Sequence, residues 1–130
     1  MKKLDRIRDF LIEQSFRLSR LEELGFVRKY TFSASEKIWI HYRMGIVVKT
    51  PCIVRKAKSL PKFAIPTLVL PLPKPLVQSR TMKNIFIQPK ASLRNRDLAH
   101  VRLVDMGYGG SDFKRTNLGW YRGQPVLIDW

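Results

Sequence analysis

Apolar residues at the start of the chain recur at the spacing of an amphipathic helix. The stripe is formed by Leu4, Ile7, Leu11, Leu18 and Leu21, with Phe10 and Leu24 widening it. Residues three and four apart lie on one face of a helix, so this pattern predicts a helix over 4–24 that packs on the body of the domain. Gly25 is well placed to end it, because glycine tolerates the left-handed backbone found at helix C-termini.

The next part of the chain predicts a small antiparallel sheet. Three runs over 26–32, 38–42 and 46–49 are rich in aromatic and β-branched residues. Short polar or glycine-containing turns at 33–37 and 43–45 separate them. Runs of this kind with short connections are typical of strands in meander order.

Proline dominates the middle of the chain. Six of the eight prolines lie between residues 51 and 78. Because proline lacks a backbone N–H and clashes with the preceding turn, this density excludes a long helix. Within and after this stretch, 65–71 predicts one short strand and 85–89 another.

A second helix is predicted over 96–107, before the glycines at 107–110. We expect its apolar positions to face the core, namely Leu98, Val101, Val104 and Met106. The elements together predict an α+β fold in a single domain, residues 1–130. It consists of an N-terminal helix, a small antiparallel sheet, a short helix and a terminal hairpin.

The charge of the chain indicates which kind of partner it attracts. The 130 residues carry a net charge of +15, and no Asp or Glu occurs between Glu36 and Asp97. Such a surface attracts a polyanion, namely nucleic acid, an anionic membrane or an acidic protein. Arg55, Lys56 and Lys58 form the leading candidate cluster, and a merely solvated basic surface is the alternative. No apolar run is long enough to span a bilayer, and no signal-peptide core follows Met1, so we expect an intracellular, cytoplasmic protein.

The last nineteen residues carry the candidate chemistry. Asp112 and Asn117 have the spacing D-x-x-x-x-N, and a hairpin with its turn at Arg122-Gly123 leads to Asp129. Carboxylate and amide oxygens are hard ligands that suit Mg²⁺. The alternative is an ordinary surface hairpin, since Asp and Asn also favour turns.

These residues, as DFKRTNLG and VLIDW, resemble the catalytic half of the protein-kinase-like superfamily. The similarity is to divergent bacterial and phage kinase-like proteins, whose loop reads DFHxxNLG and whose hairpin ends in VLIDW. The resemblance implies that Asp112 is the catalytic-loop aspartate and that Asn117 and Asp129 are metal ligands. It implies ATP and Mg²⁺ as cofactors.

The same resemblance makes Lys49 the candidate ligand of the nucleotide phosphates. It ends the run Ile46-Val47-Val48-Lys49 on the third predicted strand, similar to the V-A-I-K lysine of kinases. A strand-end lysine that merely reaches solvent is the alternative. Because the surrounding sequence has no acid, either the ion pair of Lys49 is missing or a distant residue such as Glu13, Glu22 or Glu23 supplies it.

Several family features are absent from the sequence. Residues 32–36, where the phosphate-covering loop belongs, contain no glycine, and Gly110-Ser111 stands where a His-Arg pair normally precedes the catalytic aspartate. We therefore expect a kinase-like protein that binds Mg-nucleotide with weak or lost phosphotransferase activity. The alternative is a pseudokinase-like basic protein, such as a viral accessory, inhibitor or structural protein, that binds nucleic acid or an acidic partner.

Overall fold

The computed structural model describes residues 2–29, 37–53, 60, 62–77, 82–108 and 117–128. Within these ranges the chain has the predicted α+β class with a small antiparallel sheet. It divides into two compact units. The strand unit comprises Met1–Ser59 and Pro66–Lys90, and the hairpin unit comprises Leu60–Ile65 and Ala91–Trp130.

The N-terminal segment forms two helices instead of the single helix predicted over 4–24. Helix α1 spans Lys2–Glu13, and a 3₁₀ helix spans Leu18–Leu24. Between them Ser15 and Phe16 have positive φ angles of 54° and 62°. The Phe16 N–H donates to the Leu11 carbonyl at 2.7 Å and the Ser15 N–H to the Ile12 carbonyl at 3.1 Å. These bonds close α1 in a Schellman motif, here without a glycine.

The break allows both parts of this segment to pack in one core. A straight helix over 4–24 would be about 31 Å long. Redirecting the chain at Ser15 and Phe16 buries both Leu11 and Leu21 completely in one core. Among the described residues, no helix is long and apolar enough to cross a membrane.

The sheet of the strand unit has five antiparallel strands in the order β1-β2-β3-β5-β4. Their bounds are β1 Val27–Lys29, β2 Lys37–His41, β3 Ile46–Ile53, β4 Leu68–Pro71 and β5 Met82–Pro89. A short 3₁₀ helix, Lys74–Leu76, lies between β4 and β5. The meander prediction for the first three strands is confirmed, and so are the strands predicted within 65–71 and 85–89.

The pairing of β3 with β5 is irregular at two points. The register is regular from Ile46 opposite Pro89 to Lys49 opposite Phe86, then shifts between Lys49 and Cys52 and again between Cys52 and Ile53. Pro51 lies in the first of these intervals and has no N–H to donate to the neighbouring strand. An irregularity is where a sheet tolerates proline, so the shift accommodates Pro51 without ending β3.

One face of the sheet carries the core of the strand unit. Ile85 and Ile87 of β5 and Val48 of β3 are fully buried there. They pack in a single cluster with Trp39 of β2 and with three residues of α1, namely Leu4, Ile7 and Leu11. The alternation of side chains along each strand therefore places the intervening residues, including Lys49, on the other face.

The hairpin unit is built on strands β6, Leu118–Tyr121, and β7, Gln124–Leu127. The turn is at Arg122-Gly123, as predicted, and both residues have positive φ angles, 51° and 76°. These angles fit the type I′ turn that matches the twist of a two-residue hairpin. Helix α2, Arg96–Asp105, packs on the hairpin and confirms the helix predicted over 96–107.

The face that α2 turns to the core was predicted wrongly. Leu98, Val101, Val104 and Met106 are about half exposed, at 46%, 53%, 52% and 47%. The buried residues are Ala99 and Leu103, which pack against Leu118 and Leu127 of the hairpin. The helix has apolar residues on two faces. The face with Ala99 packs on the hairpin, because its small side chain lets the helix lie closer to the strands than a large one would.

Gly25 and His41 join the end of the first 3₁₀ helix to the end of β2. Gly25 has a φ of 99°, and the Met44 N–H donates to His41 Nδ1 at 2.9 Å. Nδ1 is therefore an acceptor, so Nε2 carries the proton and donates to the Leu24 carbonyl at 2.7 Å. A Cβ atom at Gly25 would lie 2.9 Å from His41 Nε2. The glycine thus provides both the left-handed backbone and the space for the imidazole.

We predict that Gly25→Ala destabilises the chain more than Gly45→Ala. Gly45 also has a positive φ, 67°, but a Cβ there would meet nothing within 4 Å. Backbone strain alone costs about 1–2 kcal/mol, and disturbing the His41–Leu24 hydrogen bond adds about 1 kcal/mol. Urea unfolding of both variants measures the difference, and an equal loss of stability would show that the His41 contact contributes nothing.

Candidate functional site

The candidate site residues are distributed over both units of the chain. Lys49 lies on β3 in the strand unit, and Asn117 precedes β6 in the hairpin unit. Asp112 and Asp129 lie outside the described residues, and so does the predicted polyanion cluster of Arg55, Lys56 and Lys58.

Lys49 belongs to a half-buried, mostly apolar face of the sheet. Two rows of register partners define this Lys49 face: Ile38–Lys49–Phe86 and Ile40–Val47–Gln88. Directly opposed residues of antiparallel strands project to the same side, so these six side chains are neighbours. Apart from the buried Gln88 amide, the neighbours of Lys49 among these six side chains are apolar. Such a surface can take a flat ring beside a negatively charged group.

The β5 side of the Lys49 face is tightly enclosed. Phe86 and Gln88 are only 3% and 2% exposed. The Gln88 side-chain amide donates to the Thr67 hydroxyl at 3.0 Å, which satisfies one of its polar groups and fixes its orientation. Gln88 is thus a buried, hydrogen-bonded side chain with a fixed orientation.

Two of the three glutamates named as distant partners for Lys49 have other surroundings. Glu23 forms an ion pair with Arg20 at 2.8 Å. Glu22 lines a cavity with Lys37, Trp39 and Thr50, whose strand positions alternate with Lys49 and place them on the opposite face. Glu13 is the exposed last residue of α1.

Asn117 lies at the open end of the hairpin. The Ile128 N–H donates to the Asn117 carbonyl at 2.7 Å, which extends the pairing of Leu118 with Leu127 by one step. Residue 117 and the residue that precedes Asp129 are therefore held side by side. This short hydrogen bond is the feature of the described chain that bears most directly on the candidate metal ligands.

The hairpin is held on both edges by other parts of its unit. On the β7 edge, the Leu127 N–H donates to the Phe63 carbonyl at 2.8 Å and the Ile65 N–H donates to the Leu127 carbonyl at 2.9 Å. On the β6 edge, Ser92 and Trp120 exchange two backbone hydrogen bonds of 2.8 and 2.9 Å. The Trp120 indole N–H also donates to the Asn95 carbonyl at the start of α2. These bonds fix the hairpin as a rigid support for its open end.

The donor chemistry at this end suits a hard cation. Amide and carboxylate oxygens are the ligands that Mg²⁺ prefers, so Asn117 and Asp129 are chemically compatible with it. Over the described ranges, no group of three or more His, Cys, Asp or Glu side chains is placed to hold a metal.

The structure also brings together a cationic aromatic cluster that the sequence did not indicate. Tyr42 is 54% exposed, and its ring centroid lies 5.6 Å from Lys29 Nζ and 5.8 Å from Lys90 Nζ. Lys90 is distant in sequence from the other two residues. Lys29 ends β1, Tyr42 follows β2 and Lys90 follows β5. Only the pairing of the strands brings these three residues together, so no local motif could have revealed the cluster.

Gly119 is required where β6 meets the 91–92 segment. A Cβ atom there would lie 2.9 Å from the Ser92 carbonyl oxygen and 3.0 Å from the Ala91 Cβ. We predict that Gly119→Ala costs about 1–3 kcal/mol, the usual range for overpacking, because the backbone oxygen cannot move aside cheaply. Hydrogen exchange of the Ser92 and Trp120 amides measures the local effect, which should be a loss of protection.

Gly123→Ala is the control for backbone strain in the same hairpin, since its φ is 76° but a Cβ there would meet nothing within 4 Å. We expect it to lower the protection of both amides less than Gly119→Ala does. Full protection of Ser92 and Trp120 in Gly119→Ala would contradict the close approach described here.

Comparison of the chain with protein-family models, with curated proteins and with solved structures finds no match. The functional assignment therefore depends on the residues themselves and on their arrangement.

Proposed function

We propose that this chain is a kinase-like protein that binds Mg-nucleotide and has weak or lost phosphotransferase activity. Lys49 would contact the nucleotide phosphates, and Asn117 and Asp129 would hold Mg²⁺. Asp112 would orient an attacking hydroxyl group if transfer occurs. Catalysis of this class depends mainly on positioning and charge stabilisation.

The observation that carries the proposal is the hydrogen bond between Ile128 and Asn117. Two ligands of one Mg²⁺ must come within a few ångströms of each other, because the ion holds its oxygens at about 2.1 Å. Residues 117 and 128 are paired at 2.7 Å, and Asp129 is the next residue in the sequence. This backbone pairing supports a site to which both ends of the hairpin supply a ligand.

The surroundings of Lys49 add support. An ammonium group is a compact charge for phosphate oxygens, and the neighbouring Ile38, Ile40 and Val47 offer an apolar surface for a base. The order along the chain also agrees with the resemblance. The lysine strand comes first, β5 follows and leads into the hairpin unit, and the Asn117 hairpin comes last.

The sequence also explains why transfer should be weak. Glycines that let backbone N–H groups approach phosphates are missing from 32–36. The neighbouring sequence also lacks the glutamate that pairs with the strand lysine in kinases, since no Asp or Glu lies between Glu36 and Asp97. Binding needs only the metal and phosphate contacts, whereas phosphoryl transfer needs every group in position at once. Nucleotide binding can therefore survive when transfer does not.

We predict that Mg-ATP binds the wild-type chain saturably and that Asp129→Asn weakens binding at least tenfold, a loss of about 1.4 kcal/mol. Losing one carboxylate ligand lowers the affinity of the site for Mg²⁺ and hence for the complexed nucleotide. Calorimetric titration with and without Mg²⁺ measures this effect. Lys49→Met should also weaken binding, in the presence and in the absence of the metal.

Asp105→Asn is the matched control, since Asp105 is an exposed carboxylate at the end of α2 in the same unit. It removes the same charge and should leave binding unchanged. Equal affinities of the wild type, Asp129→Asn and Asp105→Asn would refute the assignment of the metal ligands.

The second candidate function is binding of single-stranded nucleic acid. It is favoured by the cluster of Tyr42, Lys29 and Lys90, called the Tyr42 cluster below. An exposed ring between two lysines combines a stacking surface for a base with cations for the adjoining phosphates. The net charge of +15 supplies long-range attraction to the same partner. The three residues do not lie on a helix that could enter a groove and contact base edges. We therefore expect binding to depend little on the nucleotide sequence.

We predict that Lys29→Gln/Lys90→Gln reduces the salt dependence of binding to an oligothymidylate. Each phosphate contact with a single strand contributes about 0.7 to the slope of log K against log salt, so the slope should fall by about 1.4. Tyr42→Ala should cost about 1–3 kcal/mol by loss of base stacking. Fluorescence anisotropy over a salt series measures both effects.

Lys2→Gln/Lys3→Gln is the control with the same change in charge, because both lysines are exposed on α1. If it reduces the slope as much as the double variant at Lys29 and Lys90, binding depends on net charge alone. The Tyr42 cluster would then have no specific role.

A further inference from the structure

The strand unit contains a cavity of about 480 Å³ on the face of the sheet opposite Lys49. We propose that this cavity binds a small amphipathic organic anion, with an aromatic or acyl body and a negatively charged head group. Its volume is in the range of small-molecule sites, which is about 300–1,000 Å³. The site does not depend on nucleotide binding, because the strands place Lys49 on the other side of the sheet.

One part of the cavity wall is apolar and comes from three separate segments. Phe16 and Leu18 belong to the turn and 3₁₀ helix after α1, and Leu72 and Leu76 follow β4. The ring of Trp39 forms part of the floor and is only 4% exposed. Protein interiors are normally packed to the density of organic crystals. A space of this size beside five apolar side chains is therefore a place for the body of a ligand.

The other part of the wall is polar and has an excess of positive charge. Lys37 and Thr50 are directly opposed on β2 and β3, and Arg28 is opposed to Trp39 on β1 and β2. Register partners project to the same side, so both pairs border the same space. The Arg28 guanidinium carbon lies 5.9 Å from the centroid of the Trp39 indole, which holds this cation against the floor.

The charges around the cavity determine the sign of the ligand. Arg28 and Lys37 are half-buried cations, and among the described residues that line the cavity Glu22 is the one acid and is exposed. Charges that are partly shielded from water interact more strongly than exposed ones. The two cations therefore dominate, and a carboxylate, sulfonate or phosphate is favoured over a neutral or cationic head group.

The chain offers a closely matched pair of positions for the test. Leu76 borders the cavity and is 44% exposed, while Leu60 lies in the hairpin unit and is 43% exposed. A glutamate at either position remains in contact with water, so neither change should unfold the protein. Only the change at Leu76 brings a negative charge to the cavity.

The experiment is a fluorescence titration of the full chain with 1-anilinonaphthalene-8-sulfonate, an aromatic anion. We expect saturable binding of one molecule per chain, displaced by decanoate as an acyl anion. Leu76→Glu should weaken binding about tenfold or more, and Leu60→Glu should leave it within about twofold of the wild type. Equal affinities of these two variants would overturn the proposal.

A second pair of variants tests the preference for negative charge. Lys37→Gln should weaken binding of the sulfonate several-fold but leave binding of neutral N-phenyl-1-naphthylamine nearly unchanged. Lys62→Gln, which alters an exposed lysine of the hairpin unit outside the cavity lining, should affect neither probe. If Lys37→Gln weakens both probes alike, the cavity has no preference for anions and the proposed ligand class is wrong.

Two further measurements separate this site from other sources of the signal. The dye also binds loosely packed states, but a ligand of the native state raises the midpoint of thermal unfolding by mass action. Saturating dye should therefore raise the midpoint for the wild type and not for Leu76→Glu, and no rise for the wild type would overturn the proposal. Asp129→Asn should bind the dye normally, so failure of the nucleotide site and failure of this site are distinguishable.

Discussion

The antiparallel pairing of β3 with β5 is the constraint on which the rest of the strand unit depends. It joins the N-terminal meander to a strand that comes only after the proline-rich segment, and it makes β5 central between β3 and β4. Ile85 and Ile87 then project into the core under α1, while Phe86 and Gln88 project to the Lys49 face. A slip of one residue would exchange the two sets, because side chains alternate along a strand. The same pairing brings the end of β5 to the point where the hairpin unit begins.

This register gives the two faces of one thin sheet different chemistry. The row Lys29–Ile38–Lys49–Phe86 crosses one face and combines cations with apolar side chains. The opposite face carries the core and also the cavity bordered by Lys37, Trp39 and Thr50, called the Trp39 cavity below. Because Lys29 and Lys49 share a face, nucleotide and single-stranded nucleic acid are related candidates, each an anion with a base attached. The cavity is chemically separate, since its cations, Arg28 and Lys37, face the other way.

The hairpin unit stabilises its open end by a different means. Its two strands are short, and an isolated two-stranded hairpin is marginal in water. The backbone of 63–65 on one edge and Ser92 on the other complete the hydrogen bonding, and α2 covers Leu118 and Leu127. The close approach at Gly119 shows how little space separates these segments. An Asn117 carbonyl held at 2.7 Å from the Ile128 nitrogen is the consequence.

The sequence by itself determined the local features, because each depends on near neighbours. The strand runs, the turn at Arg122-Gly123, the helix end at Gly25 and the second helix follow from propensity and spacing. The candidate roles of Lys49, Asn117 and Asp129 also came from local motifs, and they stay predictions. Only the tertiary structure decided where the first helix breaks, which face of α2 is buried and which residues border the Trp39 cavity or surround Tyr42. These features depend on side chains that meet from distant segments, and such meetings are not encoded in the spacing of neighbouring residues.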